Sequence, residues 1–209
     1  MAQLTLDTVT KRYGRKTVLD GVSHVFTPGL TLLVGPSGAG KSTLLRLIAT
    51  AENPDRGRLT WDGGNRSALR ATLGYAPQAV DLPEDLTARE FALHIAALKG
   101  LEAGAADQQF GQITDAIGLH ADINNRIASF SGGMRRRLIF AQALLGAPQL
   151  LALDEPTAEL DGETARKLGA LIVERARQAV VVMTTHLADE LAPLATAVLR
   201  VEGGRLTPR

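Results

Sequence analysis

The sequence predicts an α/β fold: a mostly parallel sheet, a smaller antiparallel β unit and a helical insertion. Three observations carry that expectation. Leu30-Thr31-Leu32-Leu33-Val34 is an unbroken apolar run of the kind that a strand buried on both faces requires. The last third alternates, with strand candidates Leu150 to Leu153 and Val180 to Thr184 on either side of a helical pattern from Glu163 to Arg175. Between these parts, about Thr87 to Ala147 repeats its apolar residues at helical spacing. A parallel core interrupted by a helical lobe produces this order.

Each element has its own signal. Leu4, Leu6 and Val9 suggest an opening strand, and Val22 to Phe26 a second. Pro28-Gly29 is a turn before the Leu30–Val34 run, and Ser42 to Thr50 reads as a helix after it. Arg58 to Trp61 is a short strand closed by Asp62-Gly63-Gly64, and Leu73 to Ala76 is another. In the helical block, Thr87 and Glu90 form a capping box, with Phe91, Ile95 and Leu98 on one face and Gly100 as terminator. A second helix carries Phe110, Ile113 and Ile117 and ends at Gly118. The third starts at Ser131 and aligns Met134, Leu138, Ala141 and Leu145. Val198 to Val201 and Arg205 to Thr207 flank Gly203-Gly204 as a hairpin. The expected organisation is one domain over residues 1–209, with a helical subdomain at about 79–147.

Composition narrows the function classes. The chain has 209 residues, 45% hydrophobic and 22% charged, which is globular composition and excludes disorder as the dominant state. Lys+Arg is 23 against Asp+Glu 22, a formal +1, whereas a duplex-binding module normally has a strong basic excess. Nucleic acid is therefore disfavoured as a partner. Cys is 0, which removes disulfides, thiolate metal sites and cysteine nucleophiles. The first residues have neither a basic n-region nor an apolar h-region, and no run approaches the roughly 18 residues of a membrane span. Glycine is 21, where the average of about 7% predicts roughly 15.

Three of those glycines lie in a phosphate cradle. Gly35-Pro36-Ser37-Gly38-Ala39-Gly40-Lys41-Ser42, with Thr43 next, matches the P-loop pattern in full and lies between an apolar strand and a helix. Such a loop curls its amides around phosphate oxygens at a helix N-terminus. Lys41 supplies charge to the β and γ phosphates, and the Ser42 hydroxyl is a Mg²⁺ ligand. A P-loop NTPase core that binds a nucleoside triphosphate follows. Its acidic partner is Leu150-Leu151-Ala152-Leu153-Asp154-Glu155, an apolar strand that ends in two carboxylates. Asp154 would hold Mg²⁺ and Glu155 would act as general base on the attacking water.

Ser131-Gly132-Gly133 opens a second helix with a polar cap and two glycines, a second anion-binding end. With only one P-loop in the chain, that end suggests completion of another subunit's nucleotide site.

The combination resembles the nucleotide-binding domain of ABC-type ATPases over almost the whole chain. Phe130-Ser131-Gly132-Gly133-Met134 is similar to the family signature, and Asp154-Glu155-Pro156-Thr157 to its extended Walker B. Ala158-Glu159-Leu160-Asp161 resembles the D-loop, Thr184-Thr185-His186 the switch histidine, Tyr75-Ala76-Pro77-Gln78 the Q-loop, and Tyr13-Gly14 the aromatic that stacks on the base. The resemblance implies further roles. Tyr13 would lie against adenine, Gln78 would complete Mg²⁺ coordination, and His186 would bond the γ-phosphate of ATP. Ser131, Gly132 and Gly133 would contact the γ-phosphate on a second nucleotide-binding subunit, and Asp161 would bridge the two sites. Two such subunits, as a homo- or heterodimer, would close head to tail around two ATP molecules and drive a separate transmembrane permease, from the cytoplasmic side at the inner face of the cell membrane.

Three departures stand out. Met134 takes the place of the usual glutamine, Phe130 that of leucine, and Glu159 sits where a small residue is common. The methionine signature and the Leu86 to Leu101 stretch resemble exporters of drugs and polysaccharides. The alternatives are a non-transport ABC ATPase, such as one for cluster assembly, or a small-molecule kinase. The Arg135-Arg136-Arg137 run reads as a solvated helix face. His24, His94 and His120 read as surface or packing residues, and Trp61 as lobe packing. The Val80 to His94 stretch fits either lobe packing or, by resemblance, the docking surface for a membrane subunit.

Overall fold

A computed structural model describes residues 2–64, 69–70 and 72–209. Strands β1 (Leu4–Tyr13), β2 (Lys16–Phe26) and β4 (Arg56–Trp61) form an antiparallel sheet in the order β2-β1-β4. A second sheet of six strands has the order β5-β6-β7-β3-β8-β9, built from β3 (Gly29–Val34), β5 (Leu73–Ala76), β6 (Leu150–Asp154), β7 (Val180–Thr184), β8 (Ala197–Glu202) and β9 (Arg205–Pro208). All neighbours in it are parallel except β8 and β9, which form the hairpin expected around Gly203-Gly204. The expected second strand begins earlier than its apolar stretch, because it pairs along β1 from Lys16 onward.

Among the described residues, the α-helices include α1 (Lys41–Ile48), α2 (Ala88–Leu98), α3 (Ala103–Ala116), α4 (Gly132–Leu144), α5 (Gly162–Ala176) and the short α6 (Ala188–Leu191). Alternate residues of the parallel strands feed two cores. Leu151, Leu153, Val181 and Met183 face Phe110, Leu138, Phe140, Leu168 and Ile172. Leu150, Ala152, Val180 and Val182 face α1 and the antiparallel sheet, where Leu44, Leu45, Leu4, Leu6 and Trp61 pack. Helices α2, α3 and α4 all fall between β5 and β6 in the chain.

Two expectations are corrected here. Helix α2 is capped as predicted, with reciprocal Thr87–Glu90 bonds of 2.8 and 3.1 Å, but its buried face is Ala88, Ala92 and Ala96. Small side chains let α2 lie close to its neighbours. Phe91 and Ile95 are only half-buried on the adjoining stripe, and Leu98 is 74% exposed.

The arginine run is not a solvated face either. Arg135 pairs with Glu84 at 2.8 Å and donates to the Phe130 carbonyl. Arg136 donates to the Gln78 carbonyl at 2.6 Å. Arg137 donates to the carbonyls of Gly118 and Ile117, at 2.7 and 3.3 Å, where α3 ends and its last carbonyls lack helical partners. Three consecutive side chains on a helix leave in three directions, so each reaches a different loop.

Candidate functional site

Strands β6, β7 and β3 are adjacent and parallel, so their carboxyl ends lie side by side on one sheet edge. The P-loop follows β3, Asp154 ends β6, and His186 lies two residues beyond β7. This is where a ligand binds in an open α/β sheet. A cleft of about 1100 Å³ opens there. It collects Tyr13, Gly35, Pro36, Ser37, Gly38, Gly40, Lys41, Ser42, Thr43, Gln78, Asp154, Glu155 and His186. Ala39 points away and packs against the core beneath α1.

The cradle is built from backbone conformations that side chains would block. Gly35 has φ +139°, and a Cβ there would collide with the Val201 carbonyl oxygen. Gly40 caps α1 at φ +107° with the Val18 side chain against it. Lys41 folds its ammonium onto the loop, donating to the carbonyls of Gly35 and Pro36 at 2.8 and 3.0 Å. That holds the charge over the opening, ready to exchange carbonyl oxygens for phosphate oxygens.

The acidic end is organised by a residue that sequence reasoning assigned no role. Thr184 donates its buried hydroxyl to Asp154 Oδ1 at 2.6 Å and accepts the Glu155 N–H at 2.9 Å. Glu155 sits at φ +52°, a left-handed turn that swings its carboxylate toward His186. The His186 N–H donates to Glu155 Oε2 at 3.1 Å, and the His186 ring nitrogen Nε2 lies 3.4 Å from Oε1. Burial pushes the Glu155 carboxyl above the ordinary carboxylate value, against the opposing pull of His186 and Lys41. A raised carboxyl beside a lysine in a cleft suits a general base. The signal for Thr184 was a threonine ending the strand beside the acidic one, and register alone places it opposite Asp154.

Tyr13 is held by its rim. Its hydroxyl donates to Glu52 at 2.6 Å, and Glu52 is bridged in turn by Lys11 and Arg46 at 3.1 and 3.2 Å. The Lys11 ammonium lies 5.3 Å from the ring centroid. Anchoring through the hydroxyl leaves an exposed ring at the mouth of the cleft.

Besides Ala39, four predicted site residues do not join this cleft: Ser131, Gly132, Gly133 and Asp161. Ser131 caps α4, accepting the Met134 N–H at 3.3 Å. Asp161 caps α5, accepting the N–H groups of Glu163 and Thr164 and the Thr164 hydroxyl. Within one chain its carboxylate is therefore occupied as a helix cap. Residues 159–160 of the loop before Asp161 lie against Gly132 and Gly133.

Comparison with known proteins agrees with this layout. The ABC transporter family matches residues 19–158. Nod factor export ATP-binding protein I of Rhizobium etli is 34% identical, over 98% of this chain and 67% of its own length. Aliphatic sulfonates import ATP-binding protein SsuB 1 of Burkholderia cenocepacia is 38% identical, over 97% of this chain and 62% of its own. The chain thus spans about two thirds of the length of these relatives. A dimeric bacterial ABC transporter cassette superposes with a TM-score of 0.87 at 25% identity, covering 97% of this chain and 96% of that one. By its cradle, its acidic strand end and its similarity along nearly the whole length, this chain belongs to the ABC transporter family as an ATP-binding cassette.

Proposed function

We propose that this cassette hydrolyses ATP at two composite sites formed head to tail between two copies, and so powers a transmembrane partner. One observation carries the reading. The chain has a complete P-loop cleft, yet its second anion-binding end, Ser131-Gly132-Gly133, opens elsewhere. A second copy would supply the missing end to each cleft.

Within the cleft, the donors available to a divalent cation are oxygens: the Ser42 hydroxyl, the Asp154 carboxylate and the Gln78 side-chain carbonyl. That donor set suits Mg²⁺, which prefers hard oxygen ligands and keeps several waters. When bound, Mg²⁺ would neutralise charge on the β and γ phosphates. Lys41 and His186 donate to γ-phosphate oxygens. Glu155 accepts a proton from water as the water oxygen bonds to the γ-phosphorus. The β–γ bridging bond breaks, leaving ADP and inorganic phosphate. Tyr13 offers a ring face to the base, with no hydrogen-bond readout.

The membrane partner would dock on a second groove of about 410 Å³ beside β5 and α2, lined by Tyr75, Val80, Phe91, Ile95, Lys99 and Ile139 among others. Its apolar stripe, Phe91 and Ile95, is the half-buried one beside the buried alanines of α2. Among the described residues no helix is long and apolar enough to cross a membrane, so the span would come from another chain. The cassette would then be peripheral, at the inner face. Relatives named for export and for import match at similar identity, so the Phe130–Met134 signature, rather than overall similarity, supports export. The relatives reported above are named as export and import ATP-binding proteins, which favours transport over cluster assembly.

The composite site is tested by complementation. Lys41→Ala and Ser131→Arg each inactivate both sites of a homodimer. Mixed, they form one intact site per heterodimer, and ATPase activity returns to roughly a quarter of the unsubstituted level. Two inactive preparations that stay inactive after mixing and re-equilibration would remove the head-to-tail reading.

A further inference from the structure

The loop from 158 to 161 contains a charge that faces the wrong way for an anion site. Glu159 is at φ +63°, a left-handed conformation that costs a side-chain-bearing residue energy. Its side chain is 70% exposed, yet its carboxylate keeps two neighbours. Glu159 Oε2 lies 3.5 Å from the position that a Cβ on Gly132 would take, across the first residue of α4. Glu159 Oε1 lies 3.5 Å from the guanidinium of Arg136, which is 11% exposed and is itself anchored to the Gln78 carbonyl at 2.6 Å. The Glu159 carbonyl and the Leu160 side chain lie 3.8 and 3.6 Å from where a Cβ on Gly133 would sit. A carboxylate thus lies beside the first residue of α4, in contact with an arginine reaching back from the next turn of the same helix.

That position has opposite consequences in the two states of the cassette. In the separate chain a carboxylate beside a helix N-terminus is favourable, because it faces the positive end of the peptide dipoles. In the closed dimer the same amides would face the γ-phosphate of the opposing copy, and two anions then compete for one end. We propose that Glu159 is a positioning residue that acts as an electrostatic latch. It holds residues 158–161 against α4 in the open chain and raises the ATP concentration needed for closure. Arg136 gives the carboxylate a place to stay when phosphate arrives. Through its other nitrogen it links that movement to the Gln78 backbone, so the latch and the metal-side glutamine share one anchor.

The latch rests on the composite-site reading, and the test separates the two. In a Glu155→Gln background, which stops turnover, dimer formation is titrated with MgATP by analytical ultracentrifugation. Failure of Glu155→Gln to dimerise with ATP would overturn the composite site and the latch together. Given dimerisation, adding Glu159→Gln removes the charge and keeps the shape. It lowers the half-saturating ATP concentration about three- to tenfold, as expected for losing one like-charge contact at partial exposure. The shift shrinks as salt is raised. Glu159→Gly produces at least the same shift. A drop in Glu159→Gly without one in Glu159→Gln would assign the effect to backbone strain and overturn the latch. A rise in Glu159→Gln would make Glu159 an aid to closure, and would also overturn it.

Discussion

Thr184 donates its hydroxyl to Asp154 at 2.6 Å across neighbouring parallel strands, and the same oxygen receives the Glu155 N–H. One buried hydroxyl therefore orients the Asp154 carboxylate and the turn that carries Glu155. Replacing it by the isosteric Thr184→Val leaves a buried carboxylate oxygen without this donor and the Glu155 N–H without its acceptor. We predict a loss of about 2–3 kcal/mol in urea unfolding and at least a tenfold drop in kcat. A variant that keeps kcat while losing stability would confine Thr184 to a scaffold role.

As the proposed base, Glu155 is predicted to couple pH to rate and stability with opposite signs. Burial, the largest influence, raises its pKa, while His186 and Lys41 oppose the shift. In the proposed role of base it must be ionised, so kcat is predicted to fall as pH drops through the raised value. For folding, the raised pKa means that the native chain binds the proton more tightly than the unfolded chain. Its contribution is therefore present below the ordinary carboxylate value and is lost as pH rises through the raised one. Glu155→Gln should abolish turnover and flatten the pH dependence of unfolding in that window. A pH slope unchanged in Glu155→Gln would show that another group is responsible.

Lys99 contributes a second pH dependence, at the groove. Burial lowers its pKa from 10.5 to about 8, and its ammonium donates to the Leu145 carbonyl at 3.0 Å. The native chain releases this proton more readily than the unfolded chain. Stability tied to Lys99 therefore rises with pH between about 8 and 10.5 and is lost as pH falls through about 8. At pH 7, Lys99→Met removes the cost of a half-buried charge, less one hydrogen bond, and stabilises by roughly 1–2 kcal/mol. Thermal melts at pH 7 and pH 10 check this: the variant's advantage should shrink at the higher pH.

The cradle was legible because its chemistry is contiguous. Eight residues from Gly35 to Ser42 build a phosphate loop wherever a buried strand precedes them and a helix follows, and neighbouring sequence supplied both flanks. Asp154 and Glu155 were legible for the same reason, as were the Thr87–Glu90 cap and the Gly203-Gly204 hairpin. The face of α2 was not. Phe91, Ile95 and Leu98 share helical spacing, but which stripe is buried depends on how close the neighbouring helices come, and α2 buries its alanines. The arginine run was misread because a charge on a helix face looks solvated until loops from distant sequence bring carbonyls to it.

By itself the sequence determined the strand–loop–helix cradle, the acidic strand end, the order of the motifs and the family they resemble, since each depends on residues within a few positions of one another. Tertiary structure decided what lies across strands and between loops. It set Thr184 opposite Asp154, His186 beside Glu155, and Glu159 between Gly132 and Arg136. Those relationships arise from strand register and loop packing over separations of some 20 to 30 residues. Hydrogen bonds and charge pairs form at a few ångströms, and only the folded chain brings such distant groups that close.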